Sequence, residues 1–378
     1  MISSMTERTY HTELQSEAAS FKPHSGGVIT GTAAWSCPSN IAIVKYWGKR
    51  EVQLPMNPSL SITLREAVTR THLEYRFNPE IRKPGLTFRF GGREAPGFGQ
   101  RTRTFLERIT PFMPWLRHTV LRIDSENTFP HSSGIASSAS AMGALAICLV
   151  AAEASIVRPE ASGDLLDDPG VLKKASFLAR LGSGSASRSL FPGLALWGKS
   201  DVWPGASDEY AIPVTGFHED FRDMRDAILI VESGQKKVSS SAGHALMEGN
   251  PFAASRFGQA RENLEQLAPI LREGDWPGFI RVLEEEALTL HAMMMTGRPG
   301  YLLMLPQTLA ILQRVRSFRE ETGCRIGFTL DAGANVHLVY ADGDAFPSEG
   351  FIRNELTRFC ENGRVIHDRM GTGPESLI

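Results

Sequence analysis

The chain has 378 residues, 42% of them hydrophobic and 22% charged, and its 40 basic and 42 acidic side chains leave a net charge of -2. Such usage excludes a fibrous or wholly disordered chain, and the length calls for one large or two closely packed domains. A near-neutral balance supplies no global field for nucleic acid or an anionic membrane, so neither is expected as a partner. Cys37, Cys148, Cys324 and Cys360 have no CxxC spacing, which argues against a disulfide framework or a zinc site and for a reducing, cytoplasmic setting.

Residues 1–29 mix charge and polarity (Glu7, Arg8, Glu13, Glu17, Lys22) with no apolar run, so a cleaved signal peptide is not expected and a loosely ordered tail is. From Gly31 the chain reads as β-rich. Strands are expected over 69–77 and 86–90, separated by a turn region with Pro79 and Pro84, then a short helix over 101–109 and a strand over 119–124. Residues 132–152 carry no formal charge over about the length that spans a bilayer. Five serines and Gly134 fill the first half, so the reading is a loop followed by a buried helix to about Ala154. A further helix spans 169–181, started by Pro169 and stopped by Gly182. A second segment opens near Asp226 with a buried strand over 227–231. Two amphipathic helices follow within 251–295, parted around 274–278, then a helix over 306–322 and a strand–turn–strand over 327–340. Interleaved strands and helices of this kind predict an α+β protein.

Four strings carry chemistry. The loop over 130–140, with Gly134, Ser137 and Ser138, lies between a strand and an apolar helix; its small residues, hydroxyls and first-turn N–H groups suit phosphates, against the plainer reading of a serine-rich connector. Over 34–50, Asn40, Lys45, Tyr46 and Lys49 precede a turn, which by itself is an anion site or simply a strand end with solvated lysines. The turn over 182–189 offers Ser183, Ser185 and Arg188, whose guanidinium fork fits a carboxylate or phosphate. Asp331 ends a strand before a glycine turn, the pattern of a side-chain turn cap when taken alone. Residues 193–200 match G-x4-G-K-[ST], yet Leu194-Ala-Leu-Trp197 reads as a strand rather than a wrapping loop, so the match is accidental. The 284–286 glutamates read as a solvated helix face, Met293 to Met295 as core filler, and His291 as a packed histidine rather than a metal ligand.

In this order the strings resemble the mevalonate diphosphate decarboxylases of the GHMP small-molecule kinase superfamily. Asn-Ile-Ala-x-x-Lys-Tyr-Trp-Gly-Lys-Arg at 40–50 and Gly-Ser-Gly-Ser-Ala-x-Arg-Ser at 182–189 carry the resemblance. Leu-Pro-x-Asn-x-Ser-Leu-Ser at 54–61, Asn-x-Phe-Pro at 127–130, Gly-x-x-Ser-Ser at 134–138 and Asp-Ala-Gly-x-Asn at 331–335 support it. The resemblance implies a two-lobed GHMP kinase fold: a ribosomal protein S5 domain 2-like nucleotide-binding lobe over 30–222 and a ferredoxin-like lobe over 223–378, with the site between them. It implies ATP and Mg²⁺ as cofactors, mevalonate 5-diphosphate as substrate, isopentenyl diphosphate as product, and a homodimer. Asp331 would face the C3 hydroxyl, Lys45 would keep Asp331 ionised, and Arg188 would position the substrate carboxylate. Asn40, Tyr46, Lys49, Ser183, Ser185 and Ser240 would bind substrate; Gly134, Ser137 and Ser138 would hold the ATP phosphates, with Ser138 toward Mg²⁺.

Some positions depart from that pattern. His131 stands near the nucleotide loop, Ala334 replaces the proline of Asp-Ala-Gly-Pro-Asn, and Ser241 occupies a position where some bacterial relatives carry arginine toward the second phosphate. The alternatives are accordingly a phosphomevalonate decarboxylase, a mevalonate 3-kinase-like enzyme that stops after phosphorylation, and a non-catalytic binding relative.

Overall fold

The computed structural model describes residues 9–130, 135–159, 164–234 and 240–378. The first half of the chain runs α1 (Tyr10–Ala19), β1 (Ile29–Val44), a small hairpin of β2 (Lys49–Arg50) and β3 (Leu54–Pro55), then β4 (Ser59–Phe77), β5 (Gly85–Phe90) and β6 (Arg93–Glu94). It continues with α2 (Pro96–Ile109), β7 (Thr119–Asn127), α3 (Ser137–Val157), α4 (Pro169–Gly182), β8 (Leu194–Trp197) and β9 (Ala211–Val214). The second half contributes β10 (Arg225–Leu229), α5 (Ser240–Ala245), α6 (Ala253–Glu273), α7 (Trp276–Met295), α8 (Pro306–Thr322), β11 (Ile326–Thr329), β12 (Val336–Tyr340), α9 (Ala345–Phe351), β13 (Val365–Arg369) and β14 (Glu375–Ser376).

Period-two alternation builds the first lobe. In β4, Thr69, Thr71, Leu73, Tyr75 and Phe77 are buried while Arg70, His72, Glu74 and Arg76 face outward, as a half-buried strand requires. Among the described residues this larger sheet follows the order β14-β1-β4-β7-β5-β6, with β8 on the far end of β4 and β9 beside it. The apolar helix α3 lies against β1 and β4, its Ala144, Ile147, Cys148 and Leu149 buried in the first core with Phe177 and Leu178 of α4. Its long uncharged stretch is therefore core packing. The 193–200 segment forms β8, paired with β4 and β9, so it wraps no phosphate.

The second lobe sets an antiparallel sheet, order β11-β12-β10-β13, against α6, α7 and α8. Gly274, at φ 77°, closes α6 in the left-handed conformation, which is why the 251–295 helices part there. The lobes share a core: Ile41, Ile43, Leu60 and Ile62 of the first sheet pack with Ile228, Leu264, Ile280 and Val339 of the second lobe. Asp368 of β13 fastens this seam by accepting the N–H groups of Arg65 (2.9 Å), Glu66 (2.9 Å) and Ala67 (2.8 Å) where β4 breaks its alternation.

Three features differ from the sequence expectations. Residues 10–19 form a helix rather than loose tail, anchored by buried Leu14 and by Tyr10, whose ring meets Phe177 and Tyr210 edge-on. The helix expected over 101–109 begins at Pro96, since proline in the first turn forfeits no helical hydrogen bond. The end of the chain returns to the first sheet, Trp35 and Ser36 of β1 pairing with Ser376 and Glu375.

Candidate active site

Strand ends deliver two of the candidate groups. Strand β1 loses its ladder partner after Val44, and the next residue, Lys45, sends its side chain into the seam. Strand β11 ends at Thr329, and Asp331 follows it two residues later from the other lobe. Lys45 Nζ lies 3.2 Å from Asp331 Oδ1, the lysine 2% exposed and the aspartate 28%. Burial pulls the Lys45 pKa down, and the nearby Asp331 and Glu286 carboxylates oppose that pull.

Arg188 comes from the tight 3-10 turn Gly184–Leu190. It is buried; Nη1 donates to Ser59 Oγ and Nη2 to Asn40 Oδ1 at 3.4 Å, while Nε finds no partner among the described residues. Burial lowers its pKa to about 10, with Asp331 and Tyr46 acting in the opposite sense, so the guanidinium stays charged at neutral pH. Asn40 is held in turn by the Ser185 carbonyl (3.1 Å) and Ser189 Oγ (2.8 Å). Gly184 is required at this turn because a Cβ would come within 2.9 Å of the Tyr46 ring and 2.8 Å of Trp197.

A cleft of about 1030 Å³ runs from these groups to the far side of the first lobe. Lys45, Tyr46, Lys49, Asn40, Ser183, Ser185, Arg188 and Asp331 line one end, so the structure brings these sequence-selected residues together. Ser137 and Ser138 line its middle at the start of α3, where Ser138 Oγ lies 3.3 Å from Ser183 Oγ. Among the described residues no side chain caps that helix; the Ser137 and Ala139 N–H groups are met by the Ile135 and Ala136 carbonyls. Gly134 and His131 lie outside the described residues, as do the side chains of Ser240 and Ser241.

Several wall residues were not selected from sequence. His244 on α5 accepts the Gly48 N–H through Nδ1 (3.0 Å), its ring between Tyr46 and Trp47 at 4.3 and 4.9 Å. Burial lowers its pKa to about 3, so it is neutral. The far end of the cleft is aromatic: Phe88 and Phe90 of β5 meet Phe98 of α2, the last two stacked at 5.1 Å, with Arg101 over the Phe98 ring. The Phe-x-Phe alternation of β5 was the available signal, and it reads equally as core.

The 284–286 glutamates correct a sequence expectation: Glu284 and Glu286 are buried, not solvated. Glu284 pairs with Arg316 and Arg319 of α8. Glu286 and Arg256 form a two-pronged ion pair (2.5 and 3.0 Å) with both side chains wholly buried, and Asn263 donates to Glu286 Oε1 at 2.8 Å. Removing one member of such a pair costs about 3–5 kcal/mol, because the other charge is left stranded. His291 is packed as expected, with burial lowering its pKa to about 4, and its Nε2 donates to the Asp331 carbonyl at 3.1 Å.

Comparison with known proteins shows the family. Residues 37–211 match the diphosphomevalonate decarboxylase-like N-terminal domain, and residues 227–349 the mevalonate 5-diphosphate decarboxylase C-terminal domain. A diphosphomevalonate decarboxylase from Gibberella zeae is 31% identical over 328 residues, covering 83% of this chain and 82% of that relative. The crystal structure of mevalonate diphosphate decarboxylase from Staphylococcus aureus superposes with a TM-score of 0.77 at 28% identity, over 93% of this chain and 99% of that one. MDDEF in complex with MVAPP, AMPPCP and magnesium gives 0.76 at 25% identity, over 92% and 99%. Both domains, in order and over most of the chain, place this protein in the diphosphomevalonate decarboxylase family.

Proposed function

We propose that the protein carries out the ATP-dependent decarboxylation of mevalonate 5-diphosphate to isopentenyl diphosphate, releasing ADP, phosphate and carbon dioxide. Lobes over 30–222 and 223–378 form the two walls of the cleft. The observation that carries this reading is the Lys45–Asp331 contact across the lobes, with a charged, buried Arg188 on the same wall. Asp331 accepts the proton of the C3 hydroxyl as the γ-phosphoryl group of ATP bonds to that oxygen. Lys45 offsets the charge that gathers there. The C3–O bond then breaks with phosphate leaving, and the C–C bond to the carboxylate breaks to release carbon dioxide, its electron pair becoming the alkene. Arg188 orients that carboxylate; Asn40 and Ser59 hold the guanidinium in place.

Tyr46, Lys49, Ser183, Ser185 and Ser240 bind the substrate's anionic end. The start of α3, with Gly134, Ser137 and Ser138, takes the ATP phosphates, and the Phe90–Phe98 end suits a planar base. Serine hydroxyls beside phosphate oxygens are the hard oxygen donors that Mg²⁺ takes, and among the described residues no cluster of three acidic, histidine or cysteine side chains competes for it. Mg²⁺ bound by the nucleotide and Ser138 would neutralise phosphate charge. The protein acts as a cytoplasmic homodimer in this reading.

The test offers ATP and Mg²⁺ with mevalonate, its 5-phosphate or its 5-diphosphate, measuring ADP and carbon dioxide together. Equal amounts of both with the diphosphate are expected. Preference for the 5-phosphate would shift the substrate, and ADP without carbon dioxide would make the enzyme a kinase.

A further inference from the structure

Lys45 and Asp331 reach each other from different lobes, and a lysine side chain is long and flexible. Their separation must therefore be governed by what holds the two backbones. One helix touches both. Glu286 on α7 accepts the Lys45 N–H through Oε2 at 2.8 Å, where β1 has run out of ladder partners. Five residues on, about 7.5 Å along the same axis, His291 Nε2 reaches the Asp331 carbonyl at 3.1 Å. A carbonyl oxygen can only accept, so the imidazole carries its proton on Nε2. Arg256 grips Glu286 and also donates to the Lys45 carbonyl at 3.4 Å, which Asn57 engages at 3.0 Å. Both polar groups of the Lys45 peptide are thus satisfied from outside its own strand. Neither Glu286 nor His291 lines the cleft, although Leu290 between them in space and sequence does.

We infer that α7 sets the distance between Lys45 and Asp331, with Glu286 and His291 as positioning residues that act on the pair through its backbone. This rests on the reading of Lys45 and Asp331 as the reactive pair. A helix is stiff along its axis, so two bonds from one helix register two strand ends against each other more tightly than loops could. The role also accounts for a fully buried ion pair at Glu286 and for a neutral, buried histidine next to a catalytic carboxylate.

The test compares His291→Phe, which keeps ring bulk without a donor, His291→Gln, which keeps an N–H near the Nε2 position, and His291→Asn, which falls short of it. For the Phe variant kcat should fall about ten- to a hundredfold, with KM for both substrates and the melting temperature close to wild type. The Gln variant should recover most of kcat. If the Phe variant does not fold, the Asn variant is expected to show the same loss. Unchanged kcat in the donor-less variants would overturn the inference, as would a Gln variant as impaired as Phe. A crystal structure of a donor-less variant adds a readout independent of turnover: the 3.2 Å Lys45–Asp331 contact should open, and its retention would overturn the inference. Absence of wild-type turnover would instead strike the functional reading, leaving the structural arm to decide this one.

Discussion

The two ends of the cleft are built on opposite terms. At the Lys45 end the central charged groups are buried or half-buried and already engaged: Lys45 with Asp331, Arg188 with Ser59 and Asn40, and behind them Glu286 with Arg256. At the Phe98 end the walls are aromatic and partly exposed, and among the described residues no side chain caps the α3 N-terminus between the two. A group that must stabilise developing charge gains from being fixed and desolvated beforehand. A group that only has to accept a base or a phosphate can wait for it. In the proposed reading, chemistry is thus preorganised at one end, while nucleotide binding would complete the other.

That contrast can be broken by substitution. Lys45→Met should lower kcat the most, on the order of a thousandfold, with KM for ATP little changed; a loss confined to KM would erase the distinction between the ends. Arg188→Gln should come next, about a hundredfold in kcat/KM for the hydroxy acid. Phe98→Ala should raise KM for ATP by about tenfold and leave kcat alone, and a fall in kcat instead would place the aromatic end within the chemistry.

The smallest effect concerns pH. His244 and His291 are held neutral, with pKa values pulled to about 3 and about 4 by burial, whereas the unfolded chain titrates near the usual histidine value of about 6.5. Between pH 6.5 and pH 4 the unfolded state therefore binds protons that the folded state refuses, and stability falls as pH falls through that window. Melting temperatures across it should drop, and less so in His291→Gln. A flat profile would mean that neither ring is kept neutral by the fold.

The residues of the Lys45 end were legible in the sequence because they fall in short strings whose order resembles one family, each string being ambiguous alone: Asn40 to Lys49, Ser183 to Arg188, and Asp331. What lay hidden was the support. Three glutamates in a helix look solvated, and nothing local reveals that Glu286 meets Arg256 from a neighbouring helix and caps a peptide of the other lobe. His291 looked like packing, and it is packed; its bond to Asp331 exists only once β11 is laid against α7. The tail read as loose contains α1 because one buried leucine and one tyrosine suffice to anchor a short helix on a surface the sequence cannot display. The aromatic end was missed for a related reason, since Phe88 and Phe90 alternate like any half-buried strand.

The most direct measurement is a single turnover of Asp331→Asn alongside calorimetric binding of ATP and mevalonate 5-diphosphate. The amide keeps size and shape but accepts no proton, so both ligands should bind within about twofold of wild type while ADP and carbon dioxide formation falls by about a thousandfold. Turnover within about tenfold of wild type would leave less than about 1.4 kcal/mol of the barrier to this carboxylate. The Lys45–Asp331 pair would then not be where the reaction is driven.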